Sequence, residues 1–291
     1  MQTVLQLGFT TLQLAAVYVL FSLGLTLIFG VMRIVNFAHG HSFTLAAMTV
    51  ALLAPWFIDS GLPVSTAYLL ASGVGILAAL ALGLVIFRFG LRYFQRDFHG
   101  AFILTLGIAL LLDGAILSAF GGTVRPVPEI FEGTATVLGV RISTERLVLG
   151  LAAVIISAAL YFALASSKLG RALRAVAADH EAAMLQGIPY NRLALIGFLI
   201  ATALAAIAGV LTAPIASVSP VLGTDYLLKG FIAVIIGGLG SVPGAIVGGL
   251  FISAVETVGG FYYGASSATI LSFVLVIVVL LARPRGLFGN G

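Results

Sequence analysis

What limits this chain most is a length. Apolar stretches of about 18 to 25 residues recur along it, and about 20 apolar residues cross the hydrocarbon of a bilayer as one helix. The strands of a membrane barrel would instead alternate over about ten residues. The candidate spans lie at 8–31, 42–58, 64–87, 99–120, 147–166, 192–215, 227–240, 243–259 and 267–282. The count is nine, or eight: the second span is short, and the seventh and eighth touch at "GGLGSVPGA", where a broken or re-entrant pair would reduce it. The expected fold is an all-α, polytopic transmembrane helical bundle, one domain over residues 1–291.

Composition agrees with a bilayer as solvent. Hydrophobic residues make up 61% of the 291 and charged residues 8%, too few to coat a water-soluble domain. No basic residue precedes Arg33, so the charged start of a signal peptide is missing and the first run is expected to stay as a helix. With the first span entering from outside, one side gathers Arg33, Arg88, Arg92, Arg96, Lys168, Arg171, Arg174, Arg192, Arg283 and Arg285, ten of the 14 basic residues. The other side holds Arg125, Arg141, Arg146 and Lys229. The positive-inside rule then places the N-terminus outside and the C-terminal "RPRGLFGNG" in the cytoplasm.

Several function classes lose support. There is no cysteine, hence no disulfide framework and no thiolate metal site. Neither lysine follows a glycine, so the phosphate-cradling G-x-x-x-x-G-K-[ST] loop is missing. No Ser/His/acid or H-E-x-x-H arrangement occurs either, and the chain is expected not to be an enzyme. His39 and His41 have no nearby carboxylate or thiolate to complete a metal site. Nothing points to nucleic acid. A transporter driven by ions, a transporter driven by a partner chain, a channel and a membrane scaffold stay open. Asp113 and Glu256 are the ionisable residues in mid-span. The bland reading has them facing the bundle, protonated or hydrogen-bonded to a neighbouring helix, and the other makes them part of an ion relay.

Two loops are long enough to hold structure. Residues 121–146, rich in Gly, Pro, Val and Thr, suit a short hairpin or an irregular cap. The loop "SKLGRALRAVAADHEAAMLQGIPYNR" is dense in good helix formers from Arg171 to Gln186 and stops at Gly187, with Pro189 following. One cytoplasmic helix over 171–186 is expected. Its "EAAMLQG" has the form E-A-A-x-x-x-G, with small alanines that let another protein's backbone approach. The stretch "MRIVNFAHGHSF" is the other break. Arg33 fits as a cation at a helix end, whereas Asn36, His39, Gly40 and His41 interrupt a helix at membrane depth, where only protein or a water-filled cavity can satisfy the backbone. Asn36, His39 and Gly40 are the candidates for the cytoplasmic half of a translocation route or its gate, set against a plain interfacial turn. In "IIGGLGSVPGAIVGGL", Gly237, Gly238, Gly240, Gly244 and Gly248 point to close helix packing, and Pro243 can restart a helix.

With these pieces in place, "GLTLIFGVMRIVNFAHGHSFTLAA", "LGRALRAVAADHEAAMLQGIPYNRLALIGFLIATALAAIAGVL", "KGFIAVIIGGLGSVPGAIVGGLFISAVE" and "VLLARPRGLFG" are similar, in order and spacing, to the branched-chain amino-acid ABC permeases of the LivH type. The sequence departs from the wider importer pattern after Gly187, where "LIGFLI" replaces a distal I-x-L-P. The resemblance implies a coupling helix carrying Arg171, Arg174, Asp179, Glu181, Ala182, Ala183 and Gly187. It also implies a multi-pass subunit of a bacterial inner membrane that works with a second, homologous and different permease chain. Two cytoplasmic ATPases would bind the ATP, this chain itself holding no cofactor. A periplasmic binding protein would deliver leucine, isoleucine or valine and meet the outer loops near Pro126, Glu129 and Asp225. Urea, short amides or another amino acid are the alternative solutes within the same type.

Overall fold

The computed structural model describes residues 1–94, 97–137 and 139–289; Arg96, counted above among the inner cations, lies outside them, as do the last two residues of "RPRGLFGNG". Among the described residues the elements are α1 (Gln2–Met32), α2 (His39–Asp59), α3 (Val64–Phe89), a 3-10 turn (Leu91–Tyr93), α4 (Phe98–Phe120), a hairpin of β1 (Thr134–Val137) and β2 (Val140–Ser143), α5 (Thr144–Ser166), α6 (Lys168–Ala178), α7 (His180–Leu185), α8 (Tyr190–Thr212), α9 (Leu222–Gly237), α10 (Val242–Tyr263) and α11 (Ala265–Ala282). Eight of these helices are long and apolar enough to cross a membrane, α9 not being one of them. At 16 residues α9 is about 24 Å long, short of a hydrocarbon layer of about 30 Å.

The bundle is organised around α1. Every residue from Ala15 to Ile28 is buried, and α5, α6, α8, α9 and α10 all pack on this helix. A second layer forms where α2 meets α3, α8 and α9. The periphery is thin: α11 touches α10 and α9, and α4 leans on α2. Along α4 only Ala101, Thr105, Ala109 and Ile116 are buried, a stripe at spacings of four, four and seven that matches one helix face.

Two ends can be told apart. β1 and β2 pair antiparallel in the register Thr134 with Ser143 through Val137 with Val140, meeting the expectation of a hairpin in 121–146. Arg125 bridges Val218, tying the segment after α4 to the segment after α8, and Glu145 accepts from Ile130 N at 2.9 Å. These contacts form the hairpin end. α5 runs from there to α6 and α7 at the opposite end. The expected single helix over 171–186 is two helices, because Asp179 leaves helical geometry (φ −152°, ψ 108°) and its Oδ1 accepts from Glu181 N and Ala182 N at 2.9 and 3.1 Å. An aspartate that can satisfy the first free N–H groups of a new helix competes with continuing the old one.

Candidate functional site

The break between α1 and α2 gives the sequence its strangest stretch a structural account. Arg33 closes α1 in the left-handed region (φ 54°, ψ 33°), a position more often held by glycine, and its N–H donates to Phe29 O. The chain then doubles back, and Asn36 Oδ1 accepts from Ala38 N at 3.0 Å to start α2. His39, in the first turn of α2, packs against Phe21 and lies so near Gly24 that a methyl there would meet its ring at 2.9 Å. Since α1 continues eight residues beyond Gly24, α2 begins about 12 Å inside the end of α1. The backbone break is therefore at depth, and it is covered by protein.

That covering changes the picture of Asn36, His39 and Gly40. Asn36 and His39 are 3% and 1% exposed, and Asn36 borders a void of only about 10 Å³, too small for a solute. In this subunit these side chains meet packed helices and no open route. Gly40 sits against Gly223 near the start of α9, and a Cβ on either would overlap the other's carbonyl. Thr44 completes the crossing: its hydroxyl donates to Gly40 O and accepts from Gly223 N at 3.0 Å, satisfying an N–H at the start of α9. Gly223, which the sequence reading did not single out, is half of the reason for Gly40.

The other glycines pack as their spacing suggests. Gly237 and Gly244 face each other backbone to backbone, and Gly248 lies on Ala233 O. Gly238 and Gly240 hold the α9–α10 turn at φ 107° and 81°, and Ser241 caps α10 by accepting from Gly244 N at 3.2 Å. The seventh and eighth apolar segments are thus a shortened helix of 16 residues folded tightly onto one of 22.

α6 and α7 differ in what they present. Leu173 and Val176 of α6 are buried with Val31 and Ala194, while Arg171 and Arg174 reach back to the last carbonyls of α5: Arg171 to Ser166 O at 2.9 Å, Arg174 to Ala165 O at 3.1 Å and to Leu164 O. Cations at a helix C-terminus also favour its dipole. Gly170 packs directly on the Leu164 backbone, where no side chain fits. In α7, Glu181, Ala182 and Leu185 are exposed, Leu185 by 88%; Gln186, which caps it, is exposed too, and Gly187 follows at φ 79°. Ala183 departs from its expected place on the docking face: it is 5% exposed and seats α7 on the core. Hydrogen bonds from the Ala182 and Glu181 N–H groups hold the Asp179 carboxyl below the usual carboxylate range.

The two mid-span acids each have a partner from elsewhere in the fold. His41 Nε2, on a side chain 3% exposed, lies 2.9 Å from Asp113 Oδ1. Glu256 is held twice, by Lys229 Nζ on Oε1 and by Tyr18 Oη, which donates to Oε2. These pairings could not be read from the spans themselves, because each joins residues on different helices.

At the hairpin end α1 changes character. None of its first 13 residues is buried, and Thr3, Gln6, Thr10 and Gln13 recur at spacings of three, four and three on one face. This stripe borders two clefts. One, of about 370 Å³, lies against Glu129, Arg141, Glu145 and Arg146; the other, of about 440 Å³, lies against Glu256, Thr257 and Phe261. Pro126 and Glu129 are exposed nearby, whereas Asp225 sits in the first turn of α9 instead of a loop, where a carboxylate suits the helix dipole.

Comparison with known proteins agrees with this arrangement. Residues 8–282 match the family model described as "Branched-chain amino acid transport system / permease component". The high-affinity branched-chain amino acid transport system permease protein LivH of Escherichia coli (strain K12) is 32% identical, over 98% of this chain and 96% of the relative. BraD of Pseudomonas aeruginosa, a permease protein of the same description, is 30% identical over 96% and 94%. The ribose import permease protein RbsC of Escherichia coli (strain K12) is 29% identical over 72% of this chain and 67% of its own. No solved structure matches. A multi-pass helical bundle with a capped helix pair between two of its spans, matched over nearly its whole length, belongs to the family of branched-chain amino acid transport permeases.

Proposed function

We propose that this chain is one of two permease subunits in an ABC importer of a bacterial inner membrane, and that the importer carries leucine, isoleucine or valine. The α6–α7 end faces the cytoplasm and the hairpin end the periplasm, following the charge bias. The second permease is a different, homologous chain. ATP belongs to two cytoplasmic ATPases, and a periplasmic binding protein brings the solute to the surface around Pro126 and Glu129. The observation that carries this reading is α7. It has its own cap at each end and presents Glu181, Ala182, an 88% exposed leucine (Leu185) and Gly187 to solvent, as a docking element does.

The mechanism follows from how α7 is mounted. Asp179 joins α7 to α6, Leu173 and Val176 seat α6 on α1 and α8, and Arg171 and Arg174 grip the end of α5. A push on α7 therefore reaches three spans without passing through a flexible loop. ATP binding draws the ATPases together, the α6–α7 pairs of both permeases follow, and the bundles switch from inward to outward facing; hydrolysis resets them. Asn36, His39 and Gly40 act at the hinge of that change, where α2 and α9 cross beside α1. They hold the cytoplasmic half shut in the packed conformation.

Radiolabelled leucine uptake into proteoliposomes tests the reading. Uptake is expected only with both permeases, the ATPases, the binding protein and lumenal ATP, and it is expected to disappear in Glu181→Ala with Gly187→Val. Uptake by this chain alone that an ionophore abolishes would replace the reading with an ion-coupled carrier using Asp113 and Glu256. A complete, ATP-hydrolysing complex that moves urea or a short amide but not leucine would keep the importer and replace its solute.

A further inference from the structure

We propose that Glu256 and Lys229 form the polar end of a transient solute site in the periplasmic half of the bundle, where Glu256 takes the α-ammonium and Lys229 the α-carboxylate of an amino acid. The proposal rests on the amino-acid reading above and adds a place where the permease itself recognises the zwitterion.

The first support is the cleft. Thr3, Gln6 and Thr10 of α1 face Glu256 and Thr257 of α10 across about 440 Å³, with Leu7, Leu14 and Phe261 supplying apolar wall. The Thr10 hydroxyl donates to Gln6 O at 3.0 Å, but a glutamine amide turned to hydrocarbon would leave its groups unmet, so this face of α1 borders water or a solute. The Thr257 hydroxyl, beside Glu256, has no partner. The volume and walls suit a small solute with one polar end and a branched apolar one.

The second support is the state of the charges. Lys229, Glu256 and Tyr18 come from three helices and meet at one point, which fixes Glu256 by two hydrogen bonds. The lysine and glutamate side chains nevertheless keep 25% and 21% of their surface exposed. Glu256 itself lines the cleft, and Lys229, bonded to it, is not sealed away.

The third support is charge balance. An amino-acid zwitterion brings one positive and one negative charge, and inserting it between Lys229 and Glu256 exchanges one ion pair for two with no net charge added. A simple cation or anion would leave one protein charge unmatched in a poorly polarisable setting, and a neutral solute would break the pair without replacing it. The site therefore favours zwitterions by the same arithmetic that keeps the pair intact when empty.

The assembled importer in proteoliposomes provides the test, with leucine uptake normalised to assembled complex. Glu256→Gln, which can still accept from Tyr18, and Lys229→Met are each expected to lower uptake at least ten-fold. The charge exchange of Glu256→Lys with Lys229→Glu is expected to restore assembly wherever a single change impairs it, with uptake staying low because each charge then stands at the wrong place. Wild-type uptake in the exchange variant would show a structural clip and overturn the proposal. Gln6→Leu and Thr10→Leu change exposed positions on α1 and are expected to lower uptake several-fold; normal rates in both would also overturn it. If the unaltered complex moves no leucine but does move another solute, the amino-acid reading falls and the site with it. Leucine uptake that none of these changes affects removes the site alone.

Discussion

Asp113 and Glu256 are both carboxylates in the middle of apolar helices, yet the fold treats them differently. Asp113 belongs to α4, the helix with the thinnest packing among the described spans after α5 and α11, and it keeps 39% of its side chain exposed while meeting a single partner, His41. Glu256 sits between α1, α9 and α10, with both oxygens engaged by Lys229 and Tyr18. Partner type matters as much as number. A histidine can remain bonded when neutral, by donating or accepting through its ring, whereas an ammonium that loses its carboxylate stays charged. The α9–α10 acid is thus bound into the structure, and the α4 acid is a lighter attachment at the rim.

Substitutions can break this contrast, and the largest effect is expected at Glu256. Glu256→Ala strands the Lys229 ammonium and the Tyr18 hydroxyl together, and losing one member of such a pair is expected to lower stability by about 3–5 kcal/mol, read as a fall in the thermal midpoint in detergent. A midpoint equal to that of the unaltered protein would mean that water already relieves the site. Tyr18→Phe takes away one hydrogen bond to a charged group and is expected to cost about 1.5–3 kcal/mol in the same measurement. Asp113→Asn keeps a partner for His41 and is expected to change stability by about 1 kcal/mol. Should Asp113→Asn prove as damaging as Glu256→Ala, the ranking of the two acids would be reversed.

A third acid outside the membrane sharpens the comparison through pH. The Asp179 carboxyl is held below its usual range by the Ala182 and Glu181 N–H groups, so its cap is fully present above the unfolded value of about 3.9 and is lost as pH falls through the lower folded value. Protection of the Glu181 and Ala182 amides, measured as exchange relative to the unstructured rate at the same pH, is expected to be high at neutral pH and to be lost only in that acid range. Asp179→Ala is expected to lack that protection at every pH. Unchanged exchange in the alanine variant would show that α7 is held by its packing and not by its cap.

Much of the bundle was legible because a bilayer leaves few choices: an apolar run near 20 residues has to become a helix. The hairpin in 121–146 and the tight glycine turn before Pro243 were legible for the same kind of local reason. What stayed hidden depends on distant partners. Gly40 reads as a break in a helix until Gly223 is seen against it, and Lys229 reads as an outer anchor until α9 places it beside Glu256. Asp179 was hidden differently. The residues around it are good helix formers, and the local hydrogen bonds of its side chain outweigh their summed preference. Ala183 was assigned by its place in E-A-A-x-x-x-G, and that motif does not tell which of the two alanines turns to the core.

That short helix also bears on how such transporters diversify. α7 is closed at one end by Asp179 and at the other by Gly187, and the anchoring of α6 uses neither its exposed side chains nor its length. Its outward residues can be replaced as a block while the bundle beneath stays the same. Choice of ATPase and choice of solute would then evolve independently in one chain, the first written into a cassette of a few residues and the second into the walls of the membrane helices.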